Sequence, residues 1–463
     1  MKKRLISISI CLLLALTLWA PTQAASGTNY QTALKVTLDS IRATITEPES
    51  GSSGGEWAVL ALARGGMEND AWYGKYMDSV IAKVTECNGV LSSKQYTEYS
   101  RVIIGLSAIG QDATKLNTGS KVYDLVTPLT KKQTNGEYWA SWQGNNGTIF
   151  AIIALDSQNY LDDATGNETR AGLIDALLNA QLSSGAWEIS SGSGADIDTT
   201  AMALQALAPY YLNKTKYNAL GASHTYAQLQ TSVTDALSYL NNKKSDNYSS
   251  VEAASQVVVA LSALDRDAAN DALLGNALDS VLSYYNGSGG FVHDHGSNSA
   301  DQQMSTEQGA YALVAYDRWK NGKTSLYNMT DRPAVSTISV NATSAATVTQ
   351  LSSGKISVSC TQACAVIAVL PDGTYYRLMS EGSGNTRTFH TVQSQVFVRI
   401  IGDYDGDGRV KTLDLANANK AMLGSGVSGL DALVMGAANG QPLKTINLAN
   451  LNLKLVNGTS IDW

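Results

Sequence analysis

A short apolar phrase recurs six times in the first two thirds of the chain: "VLALA" ending near Leu62, "GLSAIG" at Ile109, "IIALD" at Leu155, "LQALA" at Leu207, "LSALD" at Leu264 and "LVAYD" at Tyr316. The copies stand 47, 46, 52, 57 and 52 residues apart. That interval holds two helices and a loop, and one such pair cannot bury its own apolar face, so pairs must stack on neighbours. Six pairs can close into an (α/α)6 toroid over residues 28–330, with the Ala-rich copies inside, where helices crowd. Apolar residues at helical spacing and an almost complete lack of Pro predict an all-α body for this stretch.

A second phrase precedes several of these helices. "LLNAQLSSGAWEISSGSGADIDTTAMALQAL" has the plan of "VLSYYNGSGGFVHDHGSNSADQQMSTEQGAYAL": helix end, Gly-containing turn, aromatic (Trp187, Phe291), polar loop, acid, then Thr or Ser opening the next helix. "LNNKKSDNYSSVEAASQVVVALSAL" is a shortened third copy. This plan resembles the prenyltransferase and squalene-cyclase repeat. The resemblance implies a terpenoid-cyclase-like toroid, a frame that serves cyclases, protein prenyltransferases, vitamin B12 carriers and complement thioester domains, so it speaks to fold more than to function. "DIDTTAMALQAL" and "SSVEAASQVVVAL" are also similar to the helical domain of the transcobalamin and intrinsic factor family. There one exported toroid, followed by a small β domain, clasps a corrin, and the same order here implies ligand binding.

The N-terminal "MKKRLISISICLLLALTLWAPTQAASG" reads as a secretory signal peptide over 1–25, with a basic start, an apolar run and small residues at Ala24 and Ala25. The expected mature chain is secreted, with no transmembrane anchor. Its formal charge of -7 becomes -7 - 3 = -10 without Lys2, Lys3 and Arg4. So acidic a surface argues against nucleic acid as a partner. Cys87, Cys360 and Cys364 remain, too few for a disulfide scaffold, so stability rests on buried cores.

From Pro333 the composition shifts to Ser, Thr and Val with period-two alternation, predicting a small β-sandwich-like module over 335–401. Cys360 and Cys364 flank the turn "TQA", where an exported hairpin could close a disulfide; no further Cys or spaced His points to a metal pair.

"DYDGDGRVKTLD", 403 to 414, then places Asp at loop positions one, three, five and twelve and Gly at six. Asp403, Asp405, Asp407 and Asp414, with the Arg409 carbonyl, supply the hard oxygens and sharp turn that calcium needs. Asp at position twelve and a single following helix make 402–460 resemble a dockerin, an EF-hand-like module that implies a cohesin-type scaffold as partner. "KTINLAN" repeats "KTLDLAN" 33 residues later, but Gly436, Ala438, Gly440 and Asn447 stand where the first loop has its four acids. One calcium ion is expected.

Within the toroid, zinc prenyltransferase chemistry resembles a site built on Asp, Cys and His, and the last repeat offers Asp301 but neither Cys nor His in the matching helix. Terpene cyclisation requires Asp-x-Asp-Asp, and "DIDT" puts Thr199 in the last place, removing a carboxylate neighbour that tunes Asp198. The plainer reading is a capped helix, with Asp196 or Asp198 as N-cap.

Counting back nine and eight residues from each Ala-Leu anchor gives Ser53 and Gly54, Ser100 and Arg101, Asn146 and Gly147, Asp198 and Thr199, Ser255 and Gln256, Glu307 and Gln308. In a closed toroid these gather at one mouth with six helix N-termini, a setting for a small polar molecule or glycan. Trp57, Tyr99, Trp139, Trp142 and Trp187 fall near the same end. Arg101, Asp196, Asp198, Thr199, Gln256, His293 and Gln308 complete the candidate ligand set. His293 and His295, with Asp294, make only half a metal site. Since dockerin-like tails imply attachment of polysaccharide-degrading enzymes, Asp198 and Glu307 are the candidate catalytic pair of a hydrolase or lyase.

Overall fold

The computed structural model describes residues 29–296 and 302–457; the expected signal peptide and Asp301 lie outside the described residues. The fold is mainly helical with a β part. Twelve helices come first among the described residues: α1 (Tyr30–Thr44), α2 (Trp57–Arg64), α3 (Asp70–Glu86), α4 (Thr97–Ala108), α5 (Gly144–Ser157), α6 (Ala164–Asn179), α7 (Ile197–Tyr211), α8 (Lys214–Leu220), α9 (Tyr226–Lys243), α10 (Val251–Ala263), α11 (Ala277–Leu282) and α12 (Gln302–Lys320). The recurring phrase falls on or at the end of α2, α4, α5, α7, α10 and α12. Each of these packs on the next, and α12 returns to pack on α2.

Burial follows from composition. In α10 every residue from Ala253 to Ser262 is buried, as a helix apolar on all sides requires. By contrast α9 buries Leu229, Val233, Ala236, Leu237 and Leu240, one stripe at helical spacing, and starts on a Thr225–Gln228 capping box. Its other face is solvated.

The expectation of six helix pairs fails between α4 and α5. Residues 109–143 form instead a short hairpin of β1 (Leu116–Asn117) and β2 (Val122–Tyr123), followed by 3-10 turns at Thr127–Thr130 and Trp139–Gln143. The segment "KLNTGSKVYDLVTPLTKKQTNGE" is dense in Gly, Pro, Asn and Thr, which favour turns over a continued helix.

Behind α12 the chain crosses the C-terminal ends of α2 and α12. Arg64 and Arg318 share Asp331 at 2.6 and 2.5 Å, and Arg64 also donates to the carbonyls of Leu326 and Asn328. Two guanidiniums at helix C-termini complement the negative dipole ends there.

The β module has β3 (Ser339–Ala342), β4 (Ala346–Ser352), β5 (Lys355–Cys360), β6 (Cys364–Val369), β7 (Tyr375–Arg377), β8 (Ser380–Glu381), β9 (Thr386–His390) and β10 (Gln395–Ile400). They make two four-stranded sheets in the orders β3-β10-β6-β7 and β4-β5-β9-β8. Ile356 and Val358 from one sheet meet Val366, Val396 and Val398 from the other. Cys360 and Cys364 stand where the chain passes between sheets, their Sγ atoms 2.6 Å apart.

Alternation was expected along "CAVIAVL", yet β6 is buried from Cys364 to Ala368. The tail explains it. Helices α13 (Thr412–Leu423), α14 (Gly429–Val434) and α15 (Thr445–Val456) form a core with Ala365 and Ile367, so β6 is covered on both faces.

The β module meets the helical part along α3. Asp70 Oδ1 accepts the Val392 N–H at 2.7 Å and the Thr391 hydroxyl at 3.2 Å. Gly74 lies so close that an added Cβ would stand 2.4 Å from His390, whose ring bonds Asp78 at 3.0 Å. Glu68 pairs with Arg332 at 3.0 Å beside this joint. Burial raises the Asp70 carboxyl to about 6. An acid raised in the folded state contributes stability below its unfolded value near 4 and loses it as pH rises through about 6, roughly 3 kcal/mol in all. Asp70→Asn keeps the acceptor and removes the charge, so it should be more stable than the parent at pH 7.5 and lose the slope between pH 4 and 6 in denaturant titrations. Asp70→Ala, which strands the Val392 N–H, should be less stable at every pH by about 1–3 kcal/mol.

Candidate functional site

The N-terminal turns of α2, α4, α5, α7, α10 and α12 border one cavity of about 240 Å3. Its wall carries Trp57, Arg101, Asn146, Gln256 and Gln308, over Phe150, Met202 and Tyr311. Four polar positions reached by counting back from the Ala-Leu anchors, Arg101, Asn146, Gln256 and Gln308, therefore line it together. The apolar floor lay one helical turn further: Phe150 follows Asn146 by four residues, Met202 follows Asp198 by four, and Tyr311 follows Gln308 by three. That spacing was legible in the sequence and marks the same faces.

Polar groups here are linked across helices. Gln205 Nε2 donates to Gln256 Oε1 at 2.9 Å, Gln256 Nε2 donates to Gln308 Oε1 at 2.9 Å and to the Tyr311 hydroxyl at 2.6 Å, and that hydroxyl donates to Gln308 Oε1 at 2.9 Å. Trp57 stands 5.5 Å from Phe150 and 6.2 Å from Tyr311, ring centre to ring centre. The result is an aromatic wall beside oriented amides, able to hold a small ligand by stacking and hydrogen bonds.

Two acids lie buried beside this cavity. Glu56, which sequence reasoning did not single out, has no exposed surface; it accepts from Arg101 at 2.8 Å, Gly51 N–H at 3.0 Å, Ser50 at 3.1 Å and Tyr76 at 3.1 Å. Burial holds its carboxyl above the ordinary range, against the pull of Arg101. Glu307 Oε1 accepts the Gly54 N–H at 2.7 Å, while its buried Oε2 has no partner. Gly54 has φ of +74°, a left-handed conformation that glycine adopts freely and that aims its N–H at the acid. Burial raises Glu307 to about 7.

Asp198 belongs to a different cluster. Its carboxyl is raised to about 7 by burial, then by Asp196 and Glu252. Glu252 bonds the His293 ring at 2.7 Å through one oxygen and the Ser305 hydroxyl at 2.6 Å through the other. Asp198 and Glu307 thus face different neighbours, and neither lines the 240 Å3 cavity. His295 stacks on Tyr284 at 4.3 Å instead of joining His293.

Several candidates have structural partners. Asp196 is the N-cap of α7, accepting from the Thr199 N–H at 2.7 Å and the Thr199 hydroxyl at 2.6 Å. That engages Thr199 as well. Trp187 has no exposed surface and donates its indole N–H to Leu177 O at 2.7 Å. Tyr99 is buried and its hydroxyl accepts the Leu91 N–H. Trp142 is 52% exposed, near Trp139 at the rim.

In the tail, oxygens of Asp403, Asp405 and Asp414 lie within 4.8 Å of one another. Asp414 and Asp403 are buried, at 0% and 6% exposure. Burial, then Asp414 and Asp405, raise the Asp403 carboxyl. Asp407 stands apart from the trio and pairs with Lys411; its Oδ1 accepts the Arg409 N–H at 2.9 Å. In the second loop Asn447 does with an amide what acids do in the first. Its Oδ1 accepts the Lys444 N–H at 2.8 Å, as Asp414 accepts that of Lys411, and its Nδ2 donates to Gly436 O at 2.8 Å, tying loop position twelve to position one.

No protein-family model matches this chain, and no curated protein matches it. No helix of the described residues is long and apolar enough to cross a membrane.

The Glu56–Arg101 pair gives a direct test of this geometry. Arg101→Gln leaves a buried carboxylate without its cation and should destabilise the protein by about 3–5 kcal/mol at pH 7. Adding Glu56→Gln should restore most of that loss, a coupling that a double-mutant cycle by chemical denaturation would measure.

Proposed function

We propose that this chain is a secreted ligand-binding protein built on an (α/α)6 toroid of the prenyltransferase and terpenoid-cyclase type, laid out like transcobalamin, and attached to a partner through a dockerin-like calcium-binding tail. One observation carries the reading: the N-terminal turns of all six phrase-bearing helices supply the wall of a single cavity, with amides, an arginine and a tryptophan converging there. Side-chain amides, a guanidinium and the positive dipole ends of helices at such a mouth favour a polar or anionic small molecule or a glycan end. The corrin of the transcobalamin family is not required by these residues.

A second reading is favoured by the titration of two acids. Asp198 and Glu307, both raised to about 7, are divided between protonated and ionised forms at neutral pH, so one is suited to give a proton and the other to take one, as a scaffold-attached polysaccharide hydrolase or lyase requires. Terpene cyclisation ranks below both, because Thr199 serves the Asp196 cap.

Native mass spectrometry of protein purified from its own host should show a retained small molecule. Gln256→Ala with Gln308→Ala should lose it while the melting temperature stays within a few degrees of the parent. Retention in that variant sinks the cavity reading. A glycan panel assayed with the parent, Asp198→Asn and Glu307→Gln tests the second reading; turnover of an isoprenoid instead would overturn the ranking.

The tail is proposed to hold one calcium ion through Asp403, Asp405 and Asp414, with Asp407 and the Arg409 carbonyl as further donors. Three carboxylates gathered with two of them buried repel strongly unless a divalent cation intervenes, and an all-oxygen set suits calcium. Bound calcium supplies charge neutralisation and local order, not chemistry. Calorimetry on the full chain should give a stoichiometry near one, lost in Asp403→Ala with Asp405→Ala. A value of two would show that the second loop still binds.

A further inference from the structure

Where the second loop of the tail meets the β module there is a cavity of about 430 Å3. Arg377, Met379, Ser380 and Phe389 form one side of it, and the stretch from Gly436 to Asn439 forms the other. Arg377 ends strand β7, and Asn439 clasps its backbone: the Arg377 N–H donates to Asn439 Oδ1 at 2.7 Å, and Asn439 Nδ2 donates to Arg377 O at 3.1 Å. The position of this arginine is therefore fixed from both sides of its peptide unit.

Its guanidinium is half-buried and, among the described residues, makes neither a hydrogen bond nor an ion pair, whereas the equally half-buried Arg387 donates to Ser380 and Arg399 to Asn341. Arg64, Arg101, Arg170, Arg266, Arg318 and Arg332 each have a carboxylate within 3.0 Å. Arg377 has no ion pair among the described residues; burial lowers its pKa, and no neighbouring acid opposes the shift. A partly desolvated cation without a counter-ion is costly, and chains keep such groups where an anion arrives from outside. The second loop has also lost the acids that would have served. Gly436 and Ala438, which stand on this cavity wall, occupy the places of Asp403 and Asp405 in the first loop.

We propose that this joint is a binding site for a carboxylate carried on an apolar body, with Arg377 as the recognising group. One guanidinium presents a planar fork that matches one carboxylate and balances its single charge, and the second cation that a phosphate dianion would need, Arg387, is already engaged with the Ser380 hydroxyl at 3.2 Å. Phe389 and Leu378 give the cavity its apolar side, and Met379, 74% exposed, stands at its edge. The site is independent of the helical mouth and of the function proposed for it.

The test uses the full chain with calcium present and follows titrations of benzoate, benzamide and inorganic phosphate by calorimetry and NMR. Benzoate should bind, benzamide should not, and phosphate should bind more weakly than benzoate. Arg377→Gln should weaken benzoate at least ten-fold, and Arg377→Lys, which keeps charge but loses the fork, should fall between. Trp57→Phe, at the distant mouth, should leave benzoate affinity unchanged. Because the guanidinium makes no bond among the described residues, Arg377→Gln should melt no lower than the parent. The proposal is overturned if benzoate does not bind, if it binds Arg377→Gln as well as the parent, if benzamide or phosphate matches it, if Trp57→Phe abolishes it, or if Arg377→Gln melts lower.

Discussion

A circle of helices exists only if the last one recognises the first, and here a buried acid makes that recognition at the N-terminal end, opposite the Arg64–Arg318–Asp331 link at the other. Glu307, in α12, accepts the backbone N–H of Gly54, which leads into α2, across 253 positions of sequence. Helix α2 is only eight residues long and is preceded by an irregular turn at Ser53–Gly55, so helical propensity does little to place it. Glu56 completes the seam by gathering Arg101 from α4, Tyr76 from α3 and the Gly51 N–H. Two carboxylates with no exposed surface thus fix where the circuit begins and ends, and the polar cavity beside them is a by-product of that closure.

The helical order was legible because six copies of one apolar phrase can be counted, and counting back from them located Arg101, Asn146, Gln256 and Gln308 on a common wall. Glu56 was not found because its importance depends on a partner 45 residues away, and no local pattern records that. Asp196 and Asp198 look alike in sequence, yet one is a cap engaged by Thr199 and the other carries a raised carboxyl; only the turn geometry separates them. The missing outer helix between α4 and α5 was written in its Gly, Pro and Asn residues, but a regular repeat invites the eye to pass over them. Strand β6 misled for a different reason, since a strand covered on both faces has no alternation to show.

The tail illustrates how a repeat can lose chemistry and keep shape. In the first loop, Asp403 and Asp414 organise the backbone by accepting its N–H groups. In the second, Asn447 ties the two loop ends together and Asn439 ties the loop to strand β7 by hydrogen bonds. An amide is both donor and acceptor, so it can replace an ion between two oxygens at the expense of responsiveness to that ion. Leu448 and Leu451 then bury against the first repeat and its β support, which keeps the pair together without a second metal.

Each joint of the β module includes a side chain that grips another segment's backbone: Asp70 on Val392, and Asn439 on Arg377. Backbone grips of this kind fix direction as well as distance, because a peptide group has only one orientation in which it can answer. The β module consequently serves as a bracket and not a tether. The bearing of residues 402–457 relative to the helical mouth is therefore set by the module that stands between them.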